Sequence, residues 1–92
     1  MIARGARIIE LRTYLAAAPG LAPETRRVFA RYLSATRYQV TTDPAGQSWL
    51  ISFRSLAHRE RAWNLVNADP QWPHLSRQFA SYRFSLYRAA GG

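Results

Sequence analysis

The sequence predicts an α+β fold of order β-α-β-β-α-β, a four-stranded antiparallel sheet with helices on one face. Three observations predict it. Apolar and polar residues alternate with period two near both ends of the chain and in its middle. Two intervening segments carry apolar residues at three- and four-residue spacing, each opened by a helix-start residue. Turn chemistry at Asp43-Pro44-Ala45-Gly46-Gln47 separates two of the strand-like segments.

From Arg7 the run Arg-Ile-Ile-Glu-Leu-Arg-Thr-Tyr alternates. It places Ile9, Leu11 and Thr13 on one face and Ile8, Glu10, Arg12 and Tyr14 on the other, as a strand between two different environments does. Glu10 and Arg12 therefore read either as a neutralised surface pair or as a polar group lining a cavity or interface. Pro19-Gly20 is a turn, and Ala22-Pro23-Glu24 starts a helix, with proline at its first position and glutamate near the positive end of the dipole. The helix is expected to run to about Ser34, burying Val28, Phe29, Tyr32 and Leu33.

Tyr38–Thr42 and Ser48–Arg54 read as a hairpin joined by a five-residue loop. In the later strand Trp49, Ile51 and Phe53 share one face. Ser55 is an N-cap for a helix from Leu56 to about Asn67, with Leu56, Trp63 and Val66 on the buried stripe and Arg59, Glu60 and Arg61 outside it. Asp69-Pro70 is a second start signal, for a short segment from Trp72 to Gln78. Phe79–Arg88 closes the order as a strand, with Tyr82, Phe84 and Leu86 on one face and Arg83, Ser85 and Tyr87 on the other. This is the split βαβ arrangement of ferredoxin-like folds.

A chain of 92 residues with 48% apolar and 20% charged residues is expected to form a single domain, residues 1–92, with 1–6 and 89–92 disordered. There is no cysteine, which excludes disulfides, thiolate nucleophiles and thiolate metal sites in this chain. No segment has the apolar length of a membrane span, and the first residues lack a signal-peptide core, so a cytoplasmic location with no membrane partner is expected. The net charge of +8 comes from thirteen arginines and no lysine, spread along the chain without a run. Such a spread fits either a compositional bias or a functional basic face.

A small domain with large apolar residues on both faces of its sheet needs a cover for the face that the helices leave open. Two covers are common: a second copy packed sheet to sheet, or the bases of a single-stranded nucleic acid. The second is disfavoured here, because Gln47–Phe53 lacks the basic-glycine-aromatic pattern of an RNA-binding strand.

Three blocks carry a resemblance. Ile9-Glu10-Leu11-Arg12-Thr13-Tyr14, Ser55-Leu56-Ala57-His58-Arg59-Glu60-Arg61 and Ala68-Asp69-Pro70-Gln71-Trp72 resemble the ELRTY, SLAxRE and DPxW blocks of the NIPSNAP family, in the same order and across nearly the whole chain. The resemblance implies a dimeric α/β barrel, two copies joined through their sheets, with a ligand cleft between sheet and helices. The chain departs from the pattern in a shorter segment between the first helix and second strand, and in His58, where the family has glutamate. Glutamate at that position would complete a capping box with Ser55; histidine is expected to lose the reciprocal bond.

No nucleophile elbow, phosphate loop, dinucleotide fingerprint or metal-spaced cluster is present in the sequence, so no cofactor and no metal are expected. The resemblance implies cofactor-independent chemistry on aromatic or polycyclic molecules, as an oxygenase, cyclase or isomerase of bacterial secondary metabolism. The matching residue types are Tyr14, Trp49, Trp63 and Trp72 for stacking, Arg12 for an anionic oxygen, Glu10 beside it, and His58 or His74 for proton transfer. A non-catalytic homodimeric interaction module is the remaining alternative.

Overall fold

The computed structural model describes residues 7–15, 21–38 and 46–88. The expected turn at Pro19-Gly20, most of the expected second strand and hairpin loop, and both chain ends lie outside them. The elements run β1 (Ile8–Leu15), α1 (Leu21–Tyr32), β2 (Ser34–Arg37), β3 (Gln47–Phe53), α2 (Leu56–Ala68), α3 (Trp72–Ser76) and β4 (Ser81–Arg88). The sheet order is β2-β3-β1-β4, with every described pairing antiparallel. This is the predicted ferredoxin-like α+β fold.

Register sets which side chains share a face. In β1, Ile8, Glu10, Arg12 and Tyr14 stand opposite Phe53, Ile51, Trp49 and Gln47 of β3 and Arg88, Leu86, Phe84 and Tyr82 of β4. Directly paired residues lie on the same side of a sheet. All three helices cover this side: Phe29 of α1 packs edge-on against Trp49 and Trp63, and Trp72 of α3 meets Phe29 and Tyr14. Phe29 is therefore the hub of the core, touching all three tryptophans through offset and edge-to-face contacts.

The helices leave β4 largely uncovered, touching it through side chains such as Arg59 against Phe84. Every residue of this edge strand is exposed, including Tyr82, Phe84, Leu86 and Tyr87. The helix-free side of the sheet carries Ile9, Leu11, Leu15 and Leu50, with Thr13 and Ser48 joined hydroxyl to hydroxyl at 3.0 Å. Among the described residues, the exposed aromatic side chains on that side are Tyr87 of β4 and Tyr38, whose amide donates to the Ser48 carbonyl at 2.9 Å, so they stand at opposite edges of the sheet.

Details of three elements differ from expectation. The first helix ends at Tyr32, and a strand begins at Ser34. It pairs with β3 from Ser34 opposite Ser52 to Arg37 opposite Trp49, and the Tyr38 amide donates to the Ser48 carbonyl at 2.9 Å; the rest of the strand expected at Tyr38–Thr42 lies outside the described residues. Leu56 is 55% exposed, because the inward face of α2 is carried by Ala62, Trp63 and Val66. Asp69 has two backbone duties: its N–H closes α2 on the Val66 carbonyl, and its Oδ1 accepts the Gln71 amide at 2.8 Å, the bond expected of a cap, although the regular turn of α3 starts only from Gln71. The carboxylate also accepts from Tyr32 Oη at 2.7 Å and Arg31 Nη1 at 2.8 Å. It ties α1 to the α2–α3 corner, and these donors hold its carboxyl below the usual value, the Tyr32 bond first.

Candidate functional site

Glu10 is the centre of the helix-side polar group. It is fully buried, at 0% exposure, and its carboxylate is saturated with donors. Arg12 Nε reaches Oε2 at 2.7 Å, while Oε1 accepts from Arg59 Nε at 2.7 Å and from Trp63 Nε1 at 2.9 Å. Period two puts Arg12 beside Glu10 on β1, and one helical turn puts Arg59 and Trp63 on the same face of α2. Burial alone would push the Glu10 carboxyl up; the Arg59 bond, the charge of Arg12 and the Trp63 bond outweigh it, and the group is held below its ordinary value. The expectation of a surface pair is thus corrected, because donors from α2 make burial of this carboxylate affordable.

Arg12 is only 8% exposed and is ringed by aromatic groups. Its guanidinium carbon lies 3.8 Å from the Trp63 ring centre, 4.7 Å from Tyr82 and 5.3 Å from Phe84. Arg59 adds a contact of 4.9 Å to Phe84. Cation–π attraction and the bond to Glu10 leave this arginine little freedom. Two guanidinium groups share one carboxylate, so the group carries one net positive charge.

Two hollows open along the line where the helices stop short of β4. One, of about 570 Å³, is lined by Arg12, Tyr14, Asn67, Trp72, Phe79 and Tyr82, among others. The other, of about 410 Å³, adjoins Arg12, Arg59, Glu60, Trp63, Tyr82 and Phe84. They meet at Arg12 and Tyr82 and form one cleft. Tyr14 is 2% exposed, stacked on Phe79 at 4.4 Å, and its hydroxyl has no hydrogen-bond partner among the described residues. Burial pushes its phenol well up, against the pull of Arg12, so it stays protonated.

Of the residues named from sequence, the fold brings together Glu10, Arg12, Tyr14, Trp63 and Trp72. It separates three others from them. Trp49 is a core residue packed on Phe29, with its indole N–H on Gln47 at 2.7 Å, and it borders a different groove, beside Arg26, Arg27 and Arg37. His74 is exposed on α3 and lines none of the described hollows. His58 does not line the cleft either, and the expected loss of its capping bond is corrected. Its amide donates to Ser55 Oγ at 3.0 Å, and its Nδ1 accepts the Arg54 amide at 3.0 Å. Imidazole thus replaces glutamate in a reciprocal cap shifted by one residue.

Sequence reasoning missed Arg59, Phe79, Tyr82 and Phe84. For Arg59 a signal exists in its four-residue spacing from Trp63. For Tyr82 and Phe84 the alternation was visible, and the missing step is that β4 borders β1 where the helices leave the sheet largely uncovered.

No protein-family model matches the chain, and no curated protein does. Solved structures do. A NIPSNAP domain protein from Burkholderia xenovorans is 18% identical with a TM-score of 0.65, over 91% of this chain and 95% of its own. SnoaB, a cofactor-independent oxygenase from Streptomyces nogalater, is 18% identical with a TM-score of 0.62, over 95% and 97%. A dimeric ferredoxin-like protein from an uncultured marine organism is 7% identical with a TM-score of 0.63, over 95% and 90%. The chain therefore has the fold of NIPSNAP domain proteins, in agreement with the sequence blocks.

Proposed function

We propose that the protein binds a planar aromatic small molecule in the cleft between α2, α3 and β4, and acts on it as a cofactor-independent oxygenase. The observation that supports binding most directly is the Glu10-anchored Arg12, held among Trp63, Tyr82 and Phe84 at the wall of a cleft of ligand size. The likeness in fold to SnoaB supports the oxygenase reading.

Each residue has a part in it. Trp72, Phe79 and Tyr82 offer ring faces and edges to the ligand, and Arg12 offers a fixed positive charge to an oxygen on its rim. His58 and His74 have no part, since neither lines the cleft. The described lining of the deeper hollow holds no free base, since Glu10 is occupied by three donors and Tyr14 stays protonated; the one other carboxylate of the described lining, Glu60, is exposed on α2 at the outer hollow. Turnover in this site therefore suits a substrate that arrives already ionised, with the protein orienting it and excluding water.

The test has two stages. Binding of bicyclic and tricyclic aromatics is followed by tryptophan fluorescence in wild type and Arg12→Met; loss of affinity in the variant is expected, and equal affinity contradicts the site. Dioxygen uptake with a dihydroxyanthracene, without added metal or flavin, then decides turnover. Tight binding with no uptake leaves a binding protein.

A further inference from the structure

The ligand's chemical class follows from charge and from one orphaned hydroxyl. We infer that the cleft is a receptor for an aromatic carboxylate, seated by Arg12 and the Tyr14 hydroxyl acting together; this rests on the binding reading above. Three observations carry it. The Glu10–Arg12–Arg59 group has two cations on one anion, and the only other carboxylate lining the cleft among the described residues, Glu60, is exposed to solvent and forms no ion pair with it. A net charge at the wall of an aromatic cleft is stabilised by a ligand of opposite sign.

The second observation is Tyr14. Its hydroxyl is buried and makes no hydrogen bond of normal geometry among the described residues; Arg12 is close enough to act on its oxygen, but a guanidinium can only donate, so the phenol proton has no acceptor, a condition that costs free energy. It lies two residues from Arg12 on the same face of β1 and lines the same hollow. Because the phenol stays protonated, it can donate to an anion. The third is the state of Arg12: its described hydrogen bond is made by Nε, with aromatic rings around the guanidinium. The Nη edge is the part suited to a planar anion.

Arginine and a phenol together match the two oxygens of a carboxylate, whereas a phenolate or ketone presents one. The attached ring system then lies toward Trp72 and Phe79. Tyr82, 55% exposed and close to both Arg12 and Tyr14, is the side chain whose rotation admits the ligand to that depth.

The test compares 2-naphthoate with uncharged 2-naphthamide, by calorimetric titration of wild type and Tyr14→Phe. Wild type is expected to bind naphthoate at least about tenfold tighter than the amide. Tyr14→Phe is expected to lose about tenfold in naphthoate affinity, to keep its affinity for the amide, and to unfold at the same or a higher temperature, because an unsatisfied hydroxyl is removed. Equal binding of acid and amide, or undiminished naphthoate binding by the variant, overturns the carboxylate assignment and leaves the cleft as an aromatic site. Failure of both molecules to bind wild type at millimolar concentration overturns the assignment and the binding reading together.

Discussion

His58 shows how one side chain can take over a local duty by an unexpected route. Ser55 receives the His58 amide, and the imidazole returns the bond to the amide of Arg54 rather than to that of Ser55. Nδ1 accepts, which assigns the ring proton to Nε2. The ring also stands edge-on to Phe53 at 5.6 Å, so the end of β3 and the start of α2 are held by one residue. His58→Ala is expected to cost about 1 kcal/mol, the usual worth of a cap. His58→Glu restores the ordinary capping box and is expected to lie within about 0.5 kcal/mol of wild type. Urea unfolding of both variants checks this, and an alanine variant as stable as wild type would remove the capping role.

At the scale of elements, Glu10 joins β1 to α2. Arg12 neighbours it on β1, but Arg59 and the Trp63 indole come close only after α2 has packed on the sheet. Removing the charge by Glu10→Gln leaves Arg12 and Arg59 without their carboxylate in a buried setting, and is expected to cost about 3 kcal/mol. The pH dependence has a definite sign. The folded carboxyl titrates below its unfolded value of about 4.3, so its contribution is full above that value and is lost as pH falls through the lower folded one. Wild type is therefore expected to lose stability more steeply below about pH 4.5 than Glu10→Gln does. Parallel acid limbs in the two proteins would contradict this.

The faces of β1, β3 and β4 were legible in the sequence, because alternation is imposed by the backbone itself. The start of α2 at Ser55 was legible for a similar reason, since a cap is local. What could not be read locally was set by partners distant in the chain. Nothing within β1 distinguishes a surface Glu10 from a buried one; Arg59 and Trp63 decide it. Likewise the start of β2 at Ser34, directly after α1, is set by its pairing with β3. The cleft depends on sheet order, which places β4 beside β1 where the helices no longer cover it.

For the whole molecule, the surface left open is the clearest guide to assembly. No helix among the described residues is long and apolar enough to cross a membrane. We propose that a second copy covers the helix-free face, where Ile9, Leu11 and Leu50 lie beside Tyr87. Sedimentation at about 10 μM is expected to give twice the 10.5 kDa chain mass. Leu50→Asp, which places a charge on that face, is expected to give a folded monomer. A wild-type protein that sediments as a monomer would contradict sheet-to-sheet association.

The central claim is that Arg12, fixed by Glu10 in an aromatic cleft, is the seat of ligand binding. The three tryptophans test it in one measurement, because each indole N–H gives its own signal in a proton–nitrogen spectrum. Trp72 lines the cleft, Trp63 lies over Arg12 with its N–H on Glu10, and Trp49 is buried away from it on Gln47. Titration with 2-naphthoate is predicted to move the Trp63 and Trp72 signals together, saturating at one ligand per chain, while Trp49 stays in place. Movement of Trp49 alone, or of none of the three, would contradict the account.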